Sequence, residues 1–133
     1  MVILKPKPIP NDLNRLSGKV IDAAYKIHHE LGPGLLESVY ETCLVYELTE
    51  SGIKFERQVQ VPVRYKNIAL ETGFRVDLLV EKQIVIELKS VDTLLPVHKA
   101  QLITYLKLCK CRLGLLINFN VDVLKDGIKR VVL

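Results

Sequence analysis

A chain of 133 residues, 49% hydrophobic and 26% charged, has room for one buried core and an ordinary globular composition, which excludes wholesale disorder and fibrous repeats. Its net charge of +4 suits a polyanionic partner, but the excess is small and its distribution matters more than its size. Cys43, Cys109 and Cys111 are odd in number and lack a Cys-x-x-Cys spacing, so neither a disulfide framework nor a zinc ribbon is indicated, and a reducing cytoplasm is the expected setting.

Residues 1–10 carry Pro6, Pro8 and Pro10, which remove backbone donors and favour extended backbone, so they are expected to form an arm ahead of a single domain over residues 11–133. The apolar run at the start is too short for a signal peptide, and no stretch of about 18 apolar residues occurs, so neither export nor a membrane span is expected. From Asn11, the spacing of Leu16, Val20, Ala23, Ile27 and Leu31 predicts a helix ended by Gly32-Pro33-Gly34. A second helical pattern runs from about Leu35 to Glu50, with Gly52 placed to cap it.

The period then drops to two. Phe55, Val59, Val61, Val63 and Tyr65 alternate with polar residues, predicting a strand with one wet face and a turn near Lys66-Asn67. Phe74–Val80 and Ile84–Leu88, separated by three residues, predict a hairpin. Pro96 opens a third helix, with Gln101, Tyr105 and Leu108 on one face, and the apolar run Leu113–Phe119 reads as a central strand. Lys125-Asp126-Gly127 marks a turn before a last edge strand over residues 128–133. Helices and strands in this order predict a mixed α/β (α+β) fold, a central mixed sheet flanked by helices.

The candidate chemistry lies on the hairpin. Glu87 and Lys89 leave their strand on the same face, Leu88 on the other. Pairing Val80 with Ile84 carries the register to Asp77 opposite Glu87, so two carboxylates face each other. Opposed acids repel unless a cation lies between them, and oxygen donors of this kind, with the Leu88 carbonyl as a further candidate, suit Mg²⁺ or Mn²⁺. Lys89 adds an ammonium that can orient water or neutralise charge on a phosphoryl group. The same residues would also serve as ordinary exposed strand positions joined by a weak ion pair.

The string Gly34-Leu-Leu-Glu37-Ser-Val-Tyr40 resembles the signature of the GxxExxY proteins, a group in the PD-(D/E)XK nuclease superfamily. The resemblance extends through Arg75-Val-Asp77, Ile86-Glu-Leu-Lys89, Pro96-Val-His-Lys-Ala-Gln101 and Leu115–Asn120, in the family's order. It implies a restriction-endonuclease-like αβββαβ core, Asp77 and Glu87 as metal ligands and Lys89 as the catalytic lysine. It further implies that Glu37 faces the same cleft and that Gln101 is the glutamine following the lysine motif. Val76 stands where the superfamily's name has proline, a position that supplies no ligand.

Glu37 at a helix start also suits the positive end of the dipole. Tyr40, one turn on, can bond a phosphate or pack on the sheet, and Arg75, His98, Lys99 and Lys107 are candidate basic groups for phosphate. The adjacent His28 and His29 have no partners at zinc spacing and are expected to cap carbonyls, and the cysteines are expected to pack. The activity indicated is a metal-dependent phosphodiesterase acting on DNA or RNA. A non-catalytic module of the same fold, binding nucleic acid or a protein, and a subunit that needs a partner remain open. Small nucleases of this fold often pair to cut two strands, which leaves a homodimer open as well.

Overall fold

The computed structural model describes residues 6–133, except for the side chains of residues 71 and 72. Part of the expected arm, residues 1–5, lies outside the described residues; residues 6–10 form neither helix nor strand, and Arg112 bonds the carbonyls of Lys7 and Pro8. The elements run α1 (Asn11–Leu31), α2 (Glu37–Glu50), β1 (Phe55–Tyr65), β2 (Ile68–Val80), β3 (Ile84–Lys89), α3 (Pro96–Cys109), β4 (Leu113–Asn118), a 3-10 turn (Leu124–Gly127) and β5 (Ile128–Val132).

The strands form one sheet in the order β1-β2-β3-β4-β5. All neighbours are antiparallel except β3 and β4, which run parallel because α3 carries the chain back across the sheet. Two cores result. On one face, Val20, Ala24 and Ile27 of α1 and Tyr40, Leu44 and Leu48 of α2 pack on Leu78, Val80, Ile84, Ile86, Leu88, Leu115 and Ile117. On the other, Leu102 and Leu106 of α3 pack on Val76, Val85, Leu116 and Val131. β3 and β4 are covered on both sides, which is why they read as unbroken apolar runs apart from the polar residues at their ends.

β2 begins at Ile68, earlier than the start predicted at Phe74. The alternation is interrupted between Val61 and Val63, where the β1–β2 register shifts. At that shift Gly73 approaches β1 so closely that a Cβ would lie 2.0 Å from the Val61 carbonyl oxygen, so only glycine fits. A glycine after polar residues reads as a loop in sequence, whereas here it kinks a continuous ribbon.

Candidate metal centre

The β2–β3 ladder pairs Val80 with Ile84, Leu79 with Val85 and Leu78 with Ile86, the register anticipated from the short turn. One step further, backbone pairing stops. The N–H of Asp77 donates to Glu87 Oε1 at 3.1 Å, and the N–H of Leu88 donates to Asp77 Oδ2 at 2.8 Å. The strands separate where the carboxylates insert, and the side chains take over backbone donors that the ladder no longer uses.

β2 also changes phase here. Phe74 and Val76 pack on the α3 side, yet Leu78 and Val80, in step with them at period two, pack against α1 and α2. Opposite Asp77 on β1, Gln58 adopts a left-handed φ of 48° and makes no ladder pair, although Arg57 and Val59 on either side are paired. Strained backbone of this kind persists only where its surroundings hold it. Gln58 Nε2 donates to Glu41 Oε1 at 2.6 Å and reaches Asp77 Oδ1 at 3.4 Å, while Arg57 Nη2 bonds Glu41 Oε2 at 2.9 Å.

The electrostatics follow from burial and like charge. Burial, then the charge of Asp77, pushes the Glu87 carboxyl up to about 8, against the opposing effects of the Asp77 N–H and Lys89. Burial also raises Asp77, with Glu41 and Glu37 adding to the shift and the Leu88 N–H and Gln58 opposing it. The two acids therefore compete for a proton in a partly buried place where the charge of Lys89 only partly offsets their repulsion.

This is the environment a hard divalent ion relieves, and the donors present are all oxygens. Among the described residues, no three His, Cys, Asp or Glu side chains are grouped as a metal cluster. Two carboxylates with waters and a phosphate completing the shell is the way magnesium is commonly held, so the residues fit the ion.

Around this pair, Glu37 opens α2, exposed, with Oε1 accepting the N–H of Ser90 at 3.3 Å just beyond β3. Lys89 ends β3, partly buried, and its charge favours ionised Glu87. The side chain of Leu88 lies in the α1/α2 core while its N–H meets Asp77. Gln101 is exposed on α3, one turn before Tyr105, whose hydroxyl is raised by burial and then by the charges of Glu87 and Asp77. Arg75 is exposed on β2, and Lys99 and Lys107 are exposed on α3.

Two expected substrate contacts also make structural hydrogen bonds, Tyr40 through its whole hydroxyl and His98 through one ring nitrogen. Tyr40 is fully buried, stacked on Phe119 at 4.3 Å, its hydroxyl donating to Gly32 O at 2.6 Å and accepting the Leu35 N–H at 3.2 Å. Its phenol closes the loop that leads to Glu37, so it has no free group for a phosphate. The Nδ1 of His98 accepts the Leu95 N–H at 3.0 Å and so fastens the start of α3. His28 Nε2 lies 2.7 Å from the Val121 carbonyl, and burial raises the Cys109 and Cys111 thiols, the latter to about 11.

Sequence reasoning missed Glu41, Arg57 and Gln58. Glu41 was legible in principle, since it lies four residues after Glu37 and shares its helix face. Gln58 was not, because its left-handed backbone breaks the alternation from which strand faces are read.

The family model of the PD-(D/E)XK nuclease superfamily matches residues 14–131. The chain belongs to this superfamily. The crystal structure of SSO0001 is similar to it, with a TM-score of 0.55 and 23% identity over 90% of this chain and 58% of that one. At that identity the likeness concerns the fold, which is restriction-endonuclease-like, and this chain spans little more than half of the solved one. No curated protein matches the chain.

Proposed function

We propose that the chain is a divalent-metal-dependent nuclease that hydrolyses phosphodiester bonds of DNA or RNA, within the GxxExxY group that Gly34, Glu37 and Tyr40 mark. The observation that carries this reading is the opened end of the β2–β3 pair, where Asp77 and Glu87 meet with Lys89 two residues along the same strand. Membership of a nuclease superfamily supports a nucleic-acid substrate.

Asp77 and Glu87 would hold Mg²⁺ or Mn²⁺, with Glu37 and the Leu88 carbonyl as further candidates. The ion supplies an acidified water and charge neutralisation at the phosphate. Glu41, held by Arg57 and Gln58, fixes the amide that reaches Asp77 and so helps to aim its carboxylate. Lys89 provides a compact positive charge for the phosphoryl oxygens or the attacking water, and Gln101 a polar group at the rim. Arg75, Lys99 and Lys107 supply a field for the backbone of the substrate. Residues 11–133 form the nuclease-like domain, a cytoplasmic setting accords with the three free cysteines, and cutting both strands of a duplex would bring two copies together.

The test is a cleavage assay on labelled single- and double-stranded DNA and RNA with Mg²⁺, Mn²⁺ or EDTA, alongside calorimetric titration of Mn²⁺. Metal-dependent cleavage by wild type and none by Asp77→Asn is the expected result. Binding without cleavage under every condition would replace the enzyme with a non-catalytic module of the same fold.

A further inference from the structure

The first two strands outrun the rest of the sheet. β2 pairs with β3 only over Leu78–Val80, so from Val76 back to Ile68 its ladder partner is β1 alone. The stack of Phe74 on Tyr105, with ring centroids 4.0 Å apart, supports the base of this ribbon. Beyond the Gly73 kink, Val63 pairs with Leu70, Arg64 with Ala69 and Tyr65 with Ile68. Paired residues share a face, so the tip shows one face of Val63, Leu70, Tyr65 and Ile68 and another with Arg64. Tyr65, Ile68 and Leu70 are 61%, 58% and 41% exposed, and the Lys66 ammonium lies 5.5 Å from the Tyr65 ring centroid.

Charge and position indicate what this projection meets. Residues 59–76 carry Arg64, Lys66 and Arg75 against Glu71, three basic groups and one acidic, a net +2 in 18 residues. Arg64, Lys66 and Arg75 are exposed. The ribbon is continuous with the strands that carry Gln58 and Asp77. From Asp77 to Ile68 is nine steps of extended chain, at most about 30 Å, close to the roughly 34 Å of one duplex turn. A two-stranded ribbon fits the major groove, and aromatic or apolar groups beside cations suit contact with bases. Pro62 in the edge strand β1 opposes strand-to-strand addition of a second copy.

We infer that the projecting end of the β1–β2 hairpin is a duplex-contacting arm, with Arg64, Lys66 and Arg75 on the phosphates and Tyr65, Ile68 and Leu70 against the groove, within about one helical turn of the carboxylate pair. This rests on the nuclease reading, and deepens it by naming a duplex as substrate and the element that grips it.

The experiment measures binding of the full chain to a fluorescein-labelled 30-base-pair DNA duplex in EDTA, across salt concentrations. It compares wild type with Arg64→Ala/Lys66→Ala and Tyr65→Ser/Ile68→Ser. Both variants change exposed residues; thermal melts check folding and sedimentation checks mass. The charge variant is expected to bind at least about tenfold more weakly and to lose roughly two units of the log Kd against log salt slope, since each phosphate contact contributes about 0.9. The apolar variant is expected to weaken binding several-fold with little change in slope. If wild type binds the duplex and both variants match it in affinity and slope, the arm inference falls and the nuclease reading stands. If wild type does not bind the duplex, the arm inference falls, while metal-dependent cleavage of the single-stranded and RNA substrates decides the nuclease reading on its own. If wild type sediments as a dimer and Tyr65→Ser/Ile68→Ser as a monomer, the face is covered by a second copy and the inference is wrong.

Discussion

The two ends of the β2–β3 pair are built on opposite terms. At the turn end, Leu78, Leu79 and Val80 meet Ile86, Val85 and Ile84 through backbone pairing, and five of these six side chains are fully buried. At the other end, Asp77 and Glu87 insert carboxylates into the gap and take the backbone donors for themselves. The first arrangement lowers the energy of the fold. The second holds two acids together in a partly buried place, which opposes folding once both are ionised, until a proton or a cation joins them. The pair teaches that the apolar end anchors a site that would not hold together unaided.

The largest effect expected on this contrast is kinetic. Lys89→Ala should lower metal-dependent cleavage at least about a thousandfold while Mn²⁺ binding by calorimetry is kept or slightly tightened, because a charge felt in the transition state affects rate more than affinity. Asp77→Asn should lose both. Equal cleavage by Lys89→Ala and wild type would remove Lys89 from the reaction.

At the anchoring end, Ile86→Ala should cost about 2–5 kcal/mol by leaving a cavity between α1, α2 and the sheet, read as a lower urea midpoint. Were it to cost less than a surface substitution, the anchor would lie elsewhere.

A subtler probe is pH. Glu87 holds its proton up to about 8 in the fold and only to about 4.5 otherwise, so the stability it contributes is complete below the lower value and is lost as pH rises through the upper one. Metal-free protein should therefore melt lower at pH 8.5 than at pH 5.5, by several degrees. Glu87→Gln should flatten that difference and Mn²⁺ should offset it at high pH. An equal slope in wild type and Glu87→Gln would show that other groups set it.

The smallest expected effect concerns Tyr40. Tyr40→Phe should cost roughly 1–2 kcal/mol, from unsatisfied partners at Gly32 and Leu35, and leave duplex affinity unchanged. A loss of affinity with no loss of stability would return Tyr40 to the substrate.

Much of this was legible along the chain. The helical spacing over residues 11–31, the apolar run of β4 and the three-residue turn after Val80 placed the helices, the central strand and the β2–β3 register, because periodicity and turn length are local properties. The same register put Asp77 against Glu87. Other features were decided only in three dimensions. Tyr40 could bond a phosphate or pack on the sheet, and what decided it is that Phe119, distant in sequence, stacks on it and the loop at Gly32 takes its hydroxyl. Gln58 looked like one more wet strand residue, and its left-handed turn toward Glu41 and Asp77 depends on α2 and β2 both being in place. The early start of β2 was hidden by Gly73, whose kink is a contact with β1 and not a property of its neighbours in sequence. Local pattern determined which segments form and which residues carry charge; packing between segments far apart in the chain decided which of those charges are brought together, because only tertiary contact removes the water that would otherwise keep them independent.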